Sequence, residues 1–206
     1  RLAEHFDTLF ITEKSINKLK QTILQLGMMG LLTEPNHGLT SHPIPLEILK
    51  AEREAISRKE RIKIPKLPAE SSADVVPYKL PASWLWARVG EVVALKHGYA
   101  FKSNYFSERE GLFVLTTPGN FYETGGFRDR GIKTKYYEGP IDDEFVLTAH
   151  DLIIPMTEQA PGLLGSAAFI PENEKKYLHN QRLGKLFFNK THFDPRFIYW
   201  FFNSKL

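Results

Sequence analysis

The chain of 206 residues has no cysteine, which excludes a disulfide framework and any thiolate zinc site and fits a reducing compartment. No apolar run approaches the roughly 18 residues that a membrane-spanning helix needs, and no basic segment with a secretory apolar run opens the sequence. This reads as a cytoplasmic protein without a membrane partner. The signatures of common chemistries are also missing: no G-x-x-x-x-G-K-[ST] phosphate loop, no G-x-G-x-x-G, no H-E-x-x-H and no G-x-S-x-G. The absence of an N-P-P-Y or D-P-P-Y run argues against an amino-methyltransferase that flips bases. A large excess of either charge is lacking as well. The net charge of +3 permits nucleic-acid binding without demanding it.

What is present is a hydrophobic content of 42%, enough for a core in one or two domains. Residues 1–64 read as helical. Leu2, Leu9, Ile16 and Ile23 recur every seven residues, with Phe6, Leu19 and Leu26 interleaved, so one apolar stripe runs along the segment. The stripe is a coiled-coil seam or one face of a helical hairpin, and Ile16, Leu19, Ile23 and Leu26 are its candidate partner-binding residues. Thr12 followed by Ser15 suits a helix N-cap, with the firm helix over Glu13 to Met29 and a turn at Pro35 to Gly38. A second helix over Pro45 to Ile64 reads as a charged surface rod with a thin apolar line. Lys50 to Lys66 holds seven basic residues against three acidic ones, either phosphate contacts or a solvated face with pairs such as Glu54 and Arg58.

Residues 65–77, rich in Pro and Ser, read as a linker. From residue 78 to 206 the texture is mixed α/β, short apolar runs broken by Gly and Pro. Trp84 and Trp86 are expected as core anchors, Arg88 to Leu95 as a short helix, and Gly111 to Thr116, Ile132 to Tyr137, Asp151 to Pro155 and Ser166 to Ile170 as strands. Asp194-Pro195 is a helix start. The chain begins at Arg1 and stops at Leu206 inside that helix, so the expectation is a fragment whose last domain is incomplete.

Two loops attract attention. Thr117 to Arg130 is long and Gly-rich, with aromatics and arginines, and Thr157-Glu-Gln159 sits between two strands. One enzymatic layout needs weighing: Asp142 or Asp143 with Glu174-Lys175-Lys176 loosely echoes a metal-dependent nuclease. The first pair also suits a helix N-terminus, and the second group a solvent turn. His97, His150 and His179 read as structural.

Ser15-Ile-Asn-Lys-Leu-Lys-Gln-Thr-Ile-Leu-Gln-Leu-Gly-Met-Met-Gly-Leu-Leu32, Leu80-Pro-x-x-Trp-x-Trp86, Gly98-Tyr-Ala-Phe-Lys-Ser103 with Phe106, Asp151-Leu-Ile-Ile with Met156-Thr-Glu-Gln159, and Asn180-Gln-Arg182 together resemble the specificity subunit of a type I restriction-modification enzyme. The resemblance runs through almost the whole chain in the family's order. It implies an α+β chain: an N-terminal helical conserved region of coiled-coil type, 1–64, and a mixed α/β target recognition domain, 78–206. It implies no catalysis by this chain, which would read one half of a bipartite site on double-stranded DNA and scaffold methyltransferase subunits. S-adenosylmethionine, ATP and Mg²⁺ would belong to those subunits and to a motor endonuclease subunit, with no cofactor or metal here. The alternatives are a metal-dependent nuclease domain and a purely structural interaction scaffold.

Base edges are read by Arg or Lys at guanine and by Asn or Gln at adenine, whereas most contacts go to phosphate. On that basis the candidate DNA-binding residues are Lys102, Ser103 and Asn104; Asn120, Tyr122, Arg128 and Arg130; Thr157, Glu158 and Gln159; and Gln181 with Arg182. Each has a bland alternative, such as a turn cap for Lys102.

Overall fold

The computed structural model describes residues 11–32, 44–66 and 77–204. Leu2, Phe6 and Leu9 of the expected stripe, the turn at 35–38 and most of the expected linker lie outside the described residues. The chain is mixed α+β, with two sheets and a few helices. It forms two compact units, one of residues 1–43, 70–86 and 204–206 and the other of residues 44–69 and 87–203. The expected division at 64 and 78 cuts the chain differently. The second helix belongs with the sheets, and Tyr78 to Trp86 with the first helix.

In the smaller unit, helix α1 spans Glu13–Met28. It starts where the sequence places it: Thr12 Oγ1 accepts from the Ser15 N–H and Ser15 Oγ from the Thr12 N–H, a reciprocal capping box. Gly30, at φ +72°, ends it: its N–H donates to Gly27 and that of Leu31 to Leu26. A Cβ on Gly30 would stand 2.5 Å from Pro81 Cγ, so glycine also permits this close approach. Ile16 and Ile23 are 38% and 49% exposed while Leu19 and Leu26 are half-buried, so the stripe is only partly covered among the described residues. Trp84 and Trp86 are not the buried anchors expected: they are 37% and 40% exposed, Trp86 meeting Tyr78 edge to face at 4.8 Å.

In the larger unit, α2 (Leu46–Lys59) is not a freely solvated rod. Its i,i+4 face, Leu49, Arg53 and Ser57, is buried, and α2 packs on the short helix α3 (Val89–Val92) and on strand β1 (Ala94–His97). Lys50 reaches Glu91 at 3.0 Å across that contact.

The strands that follow are β2 (Phe106–Ser107), β3 (Phe113–Thr116), β4 (Tyr136–Tyr137), β5 (Val146–Leu147), β6 (Leu152–Pro155), β7 (Ala168–Phe169), β8 (Lys176–His179) and β9 (Leu183–Phe187). The last helix is α4 (Pro195–Asn203). The first sheet has the order β1-β9-β6-β7, all antiparallel; the second, β2-β4-β3-β8-β5, contains one parallel pair, β3 with β8. The expected strand over Ile132 to Tyr137 shrinks to β4, because Gly131–Lys133 coils into a 3-10 turn.

Strand periodicity sorts the core into layers. Ile153, Val114 and Tyr177 point into a cluster shared by the two sheets. Their neighbours Leu152 and Ile154 face the opposite side with Ile198 of α4. Leu115 and Leu178 face outward from the second sheet onto Phe101 and Tyr137. Between β8 and β9 the chain changes sheet within three residues, 180–182, and that turn fixes the site.

Candidate nucleic-acid interface

Strand direction brings four loops to one end of the larger unit. Because β3 and β8 run parallel, with Thr116 beside His179, the loop after β3 and the turn after β8 leave the second sheet together. In the first sheet Pro155 of β6 pairs with Leu183, and His97 of β1 with Gly184. The segments that begin at Gly98 and at Met156 therefore leave from this end too. Backbone hydrogen bonds lock them: Tyr99 N–H to His179 O at 2.8 Å, Gln181 N–H to Tyr99 O at 2.9 Å and Met156 N–H to Arg182 O at 2.9 Å. A Cβ on Gly98 would lie 2.3 Å from the carbonyl oxygens of His179 and Asn180, so only glycine allows this contact.

Gln181 and Arg182 form the exposed tip of the β8–β9 turn. Asn180 shapes it, its Oδ1 accepting from the Arg182 N–H at 3.0 Å. Beneath, His179 is 1% exposed and its Nε2 donates to the Leu183 carbonyl at 2.9 Å. Burial pushes the imidazole pKa down to about 4, only partly opposed by that bond, so the ring is neutral and structural.

Thr157, Glu158 and Gln159 are all exposed in the next loop. Glu158 is partly committed, since its Oε1 accepts from the Gly162 N–H at 2.8 Å and curls the loop.

In the long loop the structure corrects one expectation. Asn120 is 3% exposed: its Oδ1 accepts from the Thr117 N–H at 2.9 Å, and its Nδ2 donates to the Arg128 carbonyl. It braces the loop from within and has no amide to offer a base. Tyr122, Glu123 and Arg128 form an outward group. The Arg128 guanidinium lies 4.5 Å from the Tyr122 ring centroid, and its Nη2 is 3.2 Å from Glu123 Oε2. Arg130 folds over Gly119, where a Cβ would come within 2.9 Å of a guanidinium nitrogen. Lys102, Ser103 and Asn104 are exposed on a 3-10 turn, Ser103–Tyr105, that is anchored by the Glu138 N–H to Tyr105 O bond at the β2–β4 edge.

The sequence reading missed two members of this end. Glu123 holds Arg128, and Ile132 is 99% exposed on the Gly131–Lys133 turn between Arg130 and Lys133. A signal existed: Asp129-Arg-Gly131 is a turn tripeptide, and Asp129 Oδ1 does accept from the Gly131 N–H at 2.9 Å. Over residues 98–105, 117–135, 156–165 and 180–182 six basic side chains stand against three acidic ones, so this end is net positive.

The nuclease layout is not assembled as a site. Asp142 caps its own 3-10 turn, and Lys175 pairs with Glu110 at 3.4 Å and reaches the Tyr136 hydroxyl. Among the described residues no group of three His, Asp or Glu is placed to hold a metal ion. Nor is any helix of the described residues long and apolar enough to cross a membrane.

No family model matches the chain. Among curated proteins it is 32% identical over 189 residues to the type I restriction enzyme EcoAI specificity subunit of Escherichia coli, covering 90% of this chain and 31% of that protein. It is 42% identical over 96 residues to the EcoEI specificity subunit of the same organism, covering 46% of this chain and 16% of that protein. A solved chain from work on complex assembly and conformational transition of the type I R-M system matches 94% of this chain and 41% of its own length, with a TM-score of 0.43 and 13% identity. The chain thus spans about a third of the length of its first curated relative. Over that span it belongs with the type I restriction enzyme specificity subunits.

Proposed function

We propose that this chain is the sequence-reading part of a type I restriction-modification complex. In this reading the larger unit is a target recognition domain that reads one half of a split site on double-stranded DNA. The observation that carries the reading is the convergence of four loops, far apart in sequence, on one net-positive end of a two-sheet body. Exposed Gln159, Gln181 and Arg182, with half-buried Arg128, are side chains of the kinds that read adenine and guanine edges, with Lys102 and Arg130 suited to phosphate. Helix α1, with Ile16 and Ile23 exposed, is the scaffold element. It offers an apolar stripe to a second helix or to methyltransferase subunits, as a coiled-coil conserved region would.

The chain itself catalyses nothing in this scheme. S-adenosylmethionine, ATP and Mg²⁺ act on the methyltransferase and motor endonuclease subunits. The test is to co-express the full reading frame with its methyltransferase subunit and map methylated adenines on a genome. Methylation confined to one split motif, with Gln159→Ala or Arg182→Ala relaxing only one half, is the expected result. A stable complex that leaves DNA unmethylated would reduce the chain to a scaffold, and Mg²⁺-dependent cleavage by the chain alone would overturn the non-catalytic reading.

A further inference from the structure

A cavity of about 1000 Å³ lies within the larger unit, between α2 with the segment after it and β1. Val93, Ile154, Leu186 and Phe202 give it an apolar floor. Arg53 enters it from α2. This residue is 6% exposed, and its Nε–H is buried without a hydrogen-bond partner. A guanidinium has five donors and no acceptor, so a buried one needs an anion.

The neighbouring acids are engaged elsewhere. Glu52 uses Oε1 on His192 at 3.0 Å and, with its Oε2 buried and unpartnered, does not line the cavity; Glu54 lies 3.8 Å from Arg58, and Glu144, which lines the cavity, is bound to Lys96 at 2.6 Å. The cavity therefore keeps an excess of positive charge from Arg53, Arg61 and Lys63. Arg61 adds an independent sign. It sits at φ +56°, in the left-handed region where glycine ordinarily ends a helix, and yet it is a cation lining this cavity.

We propose that this cavity binds a small organic anion, a carboxylate or phosphate carried on an apolar body, with Arg53 as the anchor and Arg61 and Lys63 at the rim. The fork of Nε and Nη donors matches two anion oxygens, and the floor takes the apolar body. A volume of about 1000 Å³ is at the upper end of the range for small-molecule sites.

The test titrates the full chain with octanoate, phenyl phosphate and inorganic phosphate, by calorimetry and ligand-observed NMR. Saturable binding of octanoate identifies the carboxylate source, and saturable binding of phenyl phosphate the phosphate source. Inorganic phosphate alone binds at least about tenfold more weakly, since it leaves the apolar floor unfilled. Arg53→Met keeps the side-chain volume, removes the buried charge and abolishes binding without lowering the melting temperature. Lys63→Glu, at an exposed position, weakens binding severalfold and serves if Arg53→Met does not fold. Saturation by none of the three probes, or binding that survives both substitutions, overturns the proposal. Seating of an acidic side chain from a partner protein here, with no small anion bound, would overturn it too.

Discussion

The Nε2 of His179 lies 2.9 Å from the carbonyl oxygen of Leu183, closing from below the turn that carries Gln181 and Arg182. A carbonyl only accepts, so Nε2 carries the hydrogen. Burial lowers the imidazole pKa from 6.5 to about 4. As pH falls the unfolded chain binds the proton first. The contribution is therefore fully present above about pH 6.5 and is lost between there and about pH 4, on the order of 3 kcal/mol in all. Denaturant midpoints across that window should fall for the wild type and fall less for His179→Gln, which keeps a donor but does not titrate. Parallel slopes in the two proteins would assign the titration to other groups.

Asn203 ties α4 to the long loop. Its Oδ1 accepts from the Ala167 N–H at 2.9 Å, its Nδ2 donates to the Ala167 carbonyl, and a Cβ on Gly125 would lie 2.2 Å from its amide carbon. Gly125 also has φ +89°, which strains any side chain. Asn203→Ala leaves the buried Ala167 N–H unpaired, while the Ala167 carbonyl keeps the Gly126 N–H at 2.8 Å, and should destabilise by about 1 to 3 kcal/mol. Gly125→Ala should destabilise comparably and raise proteolytic cleavage within residues 121–130. Wild-type stability for Gly125→Ala would mean the loop has room that the structure does not show.

Arg128 rests between the Tyr122 ring and the Glu123 carboxylate. Under the DNA-recognition reading this pair stores a preoriented guanidinium. Arg128→Ala should weaken cognate binding by about 1 to 3 kcal/mol and change random-duplex binding little. Glu123→Gln releases the cation and should strengthen binding to every sequence, steepening the salt dependence by up to about 0.9 in log–log slope. Equal losses for Arg128→Ala on cognate and random duplexes would make it a phosphate contact.

Ile132 touches little of the protein, being 99% exposed between two cations on the loop end. Ile132→Ser should leave the denaturant midpoint within about 0.5 kcal/mol of the wild type. If the turn contacts a groove, the same change should reduce DNA affinity severalfold through lost apolar contact. Unaltered affinity would place Ile132 outside the footprint.

Local chemistry was the legible part of this fold. Thr12 and Ser15 announced α1, Asp194-Pro195 announced α4, and β3, β6 and β7 lay inside predicted apolar runs. Pairing was not legible. The parallel match of β3 with β8 joins residues 63 positions apart, and no local pattern encodes it. That pairing, with those of β1 and β6 on β9, assembles the loop end, so the candidate residues could be named while their convergence could not. Asn120 shows the opposite limit. An Asn in a polar loop reads as a base contact, but its short amide is equally able to close its own turn, and here it does.

The ends of α1 and α2 make a matched pair. After α1, Gly30 takes φ +72°, with bonds from Gly30 to Gly27 and from Leu31 to Leu26; after α2, Arg61 takes φ +56°, with bonds from Arg61 to Arg58 and from Ile62 to Ser57. The motif is the same, but at the second site a Cβ stands in the left-handed region, a strain of roughly 1 kcal/mol that glycine would not carry. Arg61→Gly should therefore raise stability by about 0.5 to 1 kcal/mol, read as a higher denaturant midpoint with an unchanged m-value. The same substitution removes a rim cation from the Arg53 cavity, so octanoate or phenyl phosphate should bind it more weakly. A protein made more stable and a site made weaker by one change would explain why an arginine stands where glycine fits better. If Arg61→Gly is destabilising, the side chain makes a contact that outweighs the backbone strain.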